Sequence, residues 1–186
     1  MKAPAPQQWI VTRIDGRIAS VAADYRHLAA IAARVASLSP ALVGEVRTEK
    51  VPTEGLVALD ASVRWEDLRL FGSRFQLRVW KRLYELTHDG SPLRPHSYTE
   101  LASLCDNPQG IRAVAHAVAC NPVAYIIPCH LIVPKESMDK VNDIRATALS
   151  TLFKGSDLYL LNSIEVGEYA YGSEIKRELI KLQLGK

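Results

Sequence analysis

Two short helical segments joined by a tight turn constrain the fold of this chain more than any other feature. Ser97 is suited to cap a helix that runs from Tyr98 to about Cys105. The second segment, Ile111 to about Cys120, is mostly alanine and valine and ends at Asn121-Pro122. The turn between them, residues 106–110, reads DNPQG. This pattern predicts a helix-turn-helix outline.

Two further elements flank this pair. Phe75, Val79, Leu83 and Leu86 recur at helical spacing, which predicts an amphipathic helix before the pair. After the pair, the apolar run Val123 to Ile127 predicts a short strand that leads into Pro128-Cys129-His130. The second half of the chain is therefore expected to be mainly helical, with one strand that positions a cysteine.

The first third predicts a small α+β module. Apolar segments around Asp15-Gly16 indicate a β-hairpin, Trp9–Thr12 with Ile18–Val21. A helical pattern follows from about Asp24 to Leu38, and Leu56–Leu59 is expected to form a short buried strand. We find no residue pattern there that indicates chemistry. The fold class is thus α/β (α+β), with a module at 1–70 and a mainly helical, chemistry-bearing domain at 71–186.

Composition restricts the class of protein. The 186 residues are 48% hydrophobic with a net charge of +3, which is typical of a folded protein and permits a polyanionic partner. We expect no membrane span and no signal peptide, because no long apolar run occurs. Three cysteines are a poor disulfide framework and fit no usual zinc spacing, so we expect an intracellular protein without a metal.

Cys129 is the first candidate for chemistry. A thiolate is a strong nucleophile, and a neighbouring imidazole such as His130 is one way to activate it. A buried structural cysteine is the competing interpretation, because free cysteines are among the most buried residues. The tripeptide alone leaves both open.

The second helix is the other candidate. Its small residues Ala113, Ala117 and Ala119 lie near a lone Arg112 and are expected on its exposed face. Such a face can approach a DNA groove closely, and the arginine can enter the base stack when a base is extruded. The alternative is an alanine-rich helix packed in the core with a solvated arginine. On composition alone this alternative is not excluded.

Several ordered motifs together resemble a known family. The stretch from Phe75 to Val133, which contains FQLRVW, SYTELA and NPQGIRAVAHAVACNPVAYIIPCHLIV, resembles the active-site region of the O6-alkylguanine-DNA alkyltransferases. The tail Tyr169-Ala170-Tyr171-Gly172, followed by Lys176, is similar to the closing segment of that family.

The resemblance implies a role for each matching residue. Cys129 would accept the alkyl group, with His130 as its water-mediated base. Tyr98 would contact the flipped guanine and donate a proton to it, and Arg112 would replace the extruded base. Asn121 would brace the nucleophile against the second helix, and the small Ala113 and Ala117 would face DNA.

This chain departs from the family at three places. Leu131 stands where an arginine usually follows PCH. Gln183 stands where the family carries a glutamate that orients the histidine, so a less activated thiol or a substitute carboxylate, Glu174 or Glu178, is expected. Residues 134–166 are longer than the family's loop and predict an extra helix, 142–153, and an extra strand, 157–164.

Three functions remain open at this stage. The first is a single-turnover DNA-repair alkyltransferase, a monomer that needs no cofactor and acts on duplex DNA containing alkylated guanine, in the cytoplasm of a prokaryote or the nucleus of a eukaryote. The second is a non-catalytic or weakly catalytic lesion-recognition or regulatory module. The third, a sequence-specific regulator, is the least favoured, because an alanine-rich helix offers few side chains for reading base edges.

Overall fold

A three-stranded antiparallel sheet opens the fold. The computed structural model describes residues 8–24, 29, 32–33, 44–146 and 164–185. Strands β1 (Gln8–Ile14), β2 (Arg17–Ala22) and β3 (Val46–Pro52) are ordered β2-β1-β3. The predicted hairpin is confirmed, and both turn residues have positive φ, 50° at Asp15 and 78° at Gly16. The sequence did not predict β3, since its largely exposed residues lack an apolar alternation.

The predicted strand Leu56–Leu59 is wrong. These residues lie in helix α1, Gly55–Ser62, whose buried residues Leu56 and Asp60 are one helical turn apart. A short apolar run fits a strand and a buried helix equally well, so its periodicity could not decide between them. The predicted helix from Asp24 to Leu38 falls mostly outside the described residues.

Helix α2, Arg74–His88, confirms the predicted amphipathic helix. Ser73 caps it, and the Gln76 side chain completes a reciprocal capping box. Val79 and Leu83 are buried, as is Trp80 between them. One face of α2 therefore lies in the core while the other faces solvent.

The two short helices and their turn are also present. Helix α3 spans Tyr98–Leu104 and helix α4 spans Ile111–Ala119. The Ser97 hydroxyl accepts a hydrogen bond from the backbone N–H of Glu100 at 3.1 Å, as expected for the cap. Both helices pack against α2. Their use as a helix-turn-helix on DNA stays a prediction.

The predicted strand Val123–Ile127 is wrong. The segment is a series of turns in which Tyr125 has a φ of 71°, and only Val123 forms an isolated bridge, with Val21. The Asn121 side chain binds Val123 N (3.0 Å) and Ile127 O (2.7 Å). These are backbone groups that a neighbouring strand would otherwise pair.

The C-terminal elements close around this turn. Cys129–Leu131 forms a 3-10 turn, β4 (His96–Ser97) pairs in parallel with β5 (Ile132–Val133), and α5 spans Lys135–Ala146. Helix α6 spans Ser173–Leu184. The helix and strand predicted inside the insertion lie mostly at 147–163, outside the described residues, and the described helix α5 begins earlier than the predicted one.

One hydrophobic core connects the sheet to the helices. It contains Trp9, Ile18 and Val21 from the sheet together with Trp80 and Leu83 from α2. The fold is thus a mixture of helix and sheet, as predicted. Among the helices that the structure describes, none has the length and apolar character that a membrane crossing needs.

Candidate active site

The turn after α4 holds the candidate nucleophile in place. The Asn121 amide donates hydrogen bonds to the Ile127 carbonyl at 2.7 Å and to the Cys129 sulfur at 3.1 Å. Its carbonyl oxygen accepts from Val123 N. One side chain therefore ties the end of α4 to the beginning of the 3-10 turn, which agrees with the bracing role expected of Asn121.

Cys129 lines a pocket and is 7% exposed. Burial raises the pKa of its thiol, because a thiolate is poorly solvated there. The hydrogen bonds from Asn121 and with the Tyr169 hydroxyl, 3.7 Å away, act in the opposite direction, as does the nearby Lys176. Burial is the largest effect, so the thiol form is favoured in this closed surrounding.

The pocket in front of Cys129 has a volume of about 410 Å³. Small residues of α4, Ala115 and Ala119, form part of its wall. Its polar and aromatic lining comes from three segments of the chain: Tyr98, Asn121, Cys129, Glu168, Tyr169, Tyr171 and Lys176. A concave, mostly apolar pocket with a few convergent polar groups is the usual form of a ligand site, and flat aromatic walls suit a planar ring.

The tyrosines of the pocket are held protonated. Burial raises the pKa of Tyr98, and negative charge at Cys129 and Glu168 raises it further. Burial raises the pKa of Tyr169 and of Tyr171 in the same way. At neutral pH each of these hydroxyls therefore keeps its proton and is able to donate it.

Lys176 is a buried cation in this pocket. Its side chain is fully buried, and Nζ has no hydrogen-bond partner among the residues that the structure describes. Burial lowers its pKa to about 8, while negative charge at Cys129 raises it. The ammonium and the thiolate therefore stabilise each other across the pocket.

His130 is fully buried and stacks on an aromatic ring. The ring centroids of His130 and Tyr125 are 5.4 Å apart, and the two planes differ by 5°. The backbone places His130 next to Cys129 in the 3-10 turn. The sequence-predicted pair is thus together in one buried turn.

Gln183 lies two helical turns beyond Lys176 on the buried face of α6. Its amide Nε2 donates to the carboxylate of Asp60 at 3.5 Å. Glu174 and Glu178 were the expected substitutes for the family's glutamate, but both side chains are exposed, so neither places a carboxylate in the interior. The buried carboxylate beside Gln183 comes from α1 instead.

On α4, Arg112 and Ala113 are exposed, as expected for a surface that meets DNA. The expected exposure of Ala117 is wrong, because it is 1% exposed. Helix α2 covers it, and the indole N–H of Trp80 donates to the Ala117 carbonyl at 2.8 Å. Ala119 is exposed and borders the pocket.

Several residues of this region were not predicted from the sequence. Tyr169, Tyr171 and Lys176 were noticed only as landmarks of the tail, and a buried lysine cannot be distinguished from a surface one by residue type. Asp60 lies in a segment where no chemistry was expected. Its only signal was a lone charge in the otherwise apolar run LVALDA.

The comparisons with known proteins agree with the resemblance. Residues 74–143 match the family model of the DNA binding domain of 6-O-methylguanine DNA methyltransferase. A probable methylated-DNA–protein-cysteine methyltransferase of Acanthamoeba polyphaga mimivirus is 39% identical over 71 residues, 38% of this chain and 45% of the relative. The methylated-DNA–protein-cysteine methyltransferase of Mycobacterium leprae is 33% identical over 100 residues, 50% of this chain and 58% of the relative. The chain thus spans about half the length of these relatives.

A solved structure extends the likeness over the whole fold. The O6-methylguanine-DNA methyltransferase of the archaeon Pyrococcus kodakaraensis strain KOD1 has a TM-score of 0.56 to this chain, at 18% identity. The match covers 98% of this chain and 95% of that one. At this identity the likeness concerns the fold alone. The resemblance recognised in the motifs is confirmed.

Proposed function

We propose that this chain repairs DNA by moving an alkyl group from O6 of a guanine in duplex DNA onto Sγ of its own Cys129. The observation that carries the proposal is the pocket: one nucleophilic cysteine lines it, together with tyrosines whose hydroxyls keep their protons. The match of residues 74–143 to an alkyltransferase DNA-binding domain supports the same reaction.

The reaction balances without a redox partner. The sulfur attacks the alkyl carbon, an S–C bond forms, and the bond between that carbon and O6 of guanine breaks. The electron pair of the broken bond stays on the guanine, which gains a proton from Tyr98. The thiol proton goes to His130 through a water, as the resemblance implies. Exchange with solvent then returns a proton to Tyr98 and removes the one on His130, so no net charge remains. The thioether that results is stable, so each molecule acts once, and no metal or cofactor takes part.

The thiol of Cys129 has to be activated by the groups around it. Its raised pKa means that the thiolate is scarce at neutral pH before substrate enters. Three groups oppose the burial: the Asn121 amide, the Tyr169 hydroxyl and the Lys176 ammonium. We assign to Lys176 the electrostatic stabilisation of the thiolate, and to Asn121 its positioning.

Duplex DNA is the proposed partner, with helix α4 in contact with it. Arg112 and Ala113 are exposed near the N-terminal end of α4, and Ala119, at its other end, borders the pocket. A small residue permits close approach of the helix, and Arg112 fills the gap left by an extruded guanine. Extrusion costs a few kcal/mol, which the inserted side chain partly offsets.

The test is the intact mass of the protein after incubation with duplex DNA containing O6-methylguanine. One methyl group should appear on Cys129, in a one-to-one ratio and without turnover. Cys129→Ala should bind the same DNA and gain no mass, and Cys105→Ala, a change at a buried cysteine outside the pocket, should behave as the unchanged protein does.

Two outcomes would contradict the proposal. Methyl transfer to Cys105 or Cys120 would show that Cys129 is not the acceptor. Binding of the lesion with no transfer to any cysteine would instead identify the protein as a lesion-recognition module, the second of the functions left open by the sequence.

A further inference from the structure

Asp60 is a buried carboxylate that joins the first part of the chain to the interior behind the candidate nucleophile. Its side chain lies on α1 and the residue is 3% exposed. Two side chains from distant elements reach it: Gln183 Nε2 of α6 and His88 Nε2 of α2, each 3.5 Å from one of its oxygens. Burying a carboxylate costs free energy unless it is paired, so we expect the contacts of Asp60 to offset that cost or to serve the function of the site.

The contact with Asp60 fixes the orientation of the Gln183 amide. Because Nε2 faces the carboxylate, Oε1 points away from it within the plane of the amide. That oxygen is fully buried and has no hydrogen-bond partner among the residues that the structure describes. A buried acceptor of this kind stands ready to receive an N–H.

A candidate N–H donor close to α6 is the imidazole of His130, which is fully buried in the 3-10 turn. Helix α6 packs directly against the 3-10 turn Cys129–Leu131. The hydroxyl of Tyr125, whose ring stacks on His130, has its pKa raised by burial and also by the negative charge of Asp60. The charge of Asp60 therefore reaches the Tyr125–His130 pair through the interior.

We propose that Asp60 is a positioning residue for His130: it orients the Gln183 amide toward the imidazole and supplies the negative charge that a neutral amide cannot. This inference rests on the function proposed for Cys129. A carboxylate from α1 would thereby take over the electrostatic part of the role that the family assigns to the residue matched by Gln183.

The other titratable groups that face Asp60 modulate its charge. The ring of His88 stacks on Tyr84 at 3.8 Å, and its Nδ1 lies 2.9 Å from the Tyr84 carbonyl. Because a carbonyl only accepts, Nδ1 carries a proton, and a second proton on Nε2 would make His88 a cation beside Asp60. Tyr84 and Tyr125 stay neutral, since burial raises the pKa of both.

The experiment measures the alkylation rate of Cys129 by iodoacetamide against pH, read by mass spectrometry, and uses no DNA. Cys120 of the same molecules, which is partly exposed, is the internal reference. Asp60→Asn keeps the shape and the hydrogen-bond acceptor but removes the charge. It should slow Cys129 at pH 7.5 by about tenfold and shift the profile about one unit to higher pH, because an opposite charge nearby shifts a pKa by about one unit or more.

A charge swap separates the electrostatic role from a structural one. In the Asp60→Asn protein, Gln183→Glu should restore the original profile, because the negative charge returns on the adjacent side chain. In the unchanged protein, Gln183→Glu should have little effect, because two adjacent carboxylates share one proton. If Asp60→Asn does not fold, the pH profile of the single Gln183→Glu variant tests whether a carboxylate already acts on His130.

Three results would overturn the inference. They are an unchanged profile in Asp60→Asn, a failure of the charge swap to restore it, and a marked acceleration by Gln183→Glu in the unchanged protein. Each concerns the thiol alone. Absence of methyl transfer from DNA would contradict the proposed function without altering these profiles, so the two failures can be distinguished.

Discussion

At the scale of single residues, the properties of the pocket depend on ionisable groups that are buried. Lys176 and Cys129 are both buried, and each is more stable in its charged form when the other is charged. The same burial that disfavours the two ions keeps Tyr98 protonated. Burial thus favours the protonated form of Tyr98 and opposes ionisation of Cys129, which the Asn121 amide and the Lys176 ammonium favour.

We expect Lys176→Met to stabilise the fold while it slows the chemistry. The pKa of Lys176 is about 8 in the fold instead of 10.5, so burying the charge costs on the order of 3 kcal/mol below pH 8. As pH rises from about 8 to 10.5, the folded protein releases this proton before the unfolded chain does, so stability rises with pH in that window. Urea unfolding should show that the Lys176→Met protein is more stable than the original at pH 7, and that its advantage is smaller at pH 10.

The control for Lys176→Met is Lys181→Met, in the same helix and only partly buried. It should leave both stability and the alkylation rate of Cys129 nearly unchanged. A Lys176→Met protein that is less stable than the original at pH 7 would contradict the interpretation, since it would mean that the ammonium is well compensated in the fold.

Tyr98→Phe should lower the single-turnover rate of methyl transfer by about a hundredfold, the low end of the range for loss of a general acid. Binding of damaged duplex should change little, because the ring remains. Tyr84→Phe is the matched control: its hydroxyl donates to the Val63 carbonyl at 3.1 Å, outside the pocket. Equal rates for the Tyr98→Phe protein and the original protein would exclude proton donation by Tyr98.

At the scale of elements, α4 has two faces with different tasks. Val114, Ala117 and Val118 pack into the core, and the Trp80 indole fastens the helix by its contact with Ala117. The opposite face carries Arg112 and Ala113 in solvent. This division leaves one side of α4 exposed, and the proposed contact with a DNA groove would be made there.

We expect Arg112→Ala to weaken methyl transfer from duplex DNA more than transfer from the free O6-methylguanine base. Only the duplex requires a base to be extruded, so only there does a side chain that fills the gap contribute. Arg47→Ala, on the exposed edge strand β3, is the control for lost positive charge. The measurement is the single-turnover rate of methyl transfer on each substrate. An equal loss of rate on duplex DNA and on the free base would rule out the insertion of Arg112.

At the scale of the whole molecule, the sheet and the helices are one packed unit. Val21 of β2 accepts from Ala124 N and donates to the Pro122 carbonyl, both at 3.1 Å, next to the turn that carries Cys129. The shared core continues this contact inward through Ile18 and Trp80. The first part of the chain therefore supports the turn that carries Cys129 through backbone hydrogen bonds and a shared core.

The full chain should therefore unfold in a single cooperative transition. Trp9 and Trp80 lie on opposite sides of the sequence boundary at residue 70, yet in one core. Urea curves followed by far-ultraviolet circular dichroism and by tryptophan fluorescence should coincide. Two separated transitions would show that the segments 1–70 and 71–186 fold independently.

The elements that follow from local rules were predictable from the sequence alone. Three such elements are the hairpin at Asp15-Gly16, the Ser97 cap and the amphipathic helix α2. Each depends on residues that are close together in the chain, so turn residues and hydrophobic periodicity predict it directly. The ordered motifs around Cys129 were equally visible, since their meaning is carried by consecutive residues.

Only the tertiary structure decided the rest, because each remaining feature depends on partners distant in sequence. Leu56–Leu59 was predicted as a strand but lies in a helix, because a short apolar run is buried equally well in either. Ala117 is covered by α2 and not by solvent because Trp80, far along the chain, reaches its carbonyl. Asp60 and Gln183 are separated by 123 positions, and their contact is formed by packing that no local pattern encodes.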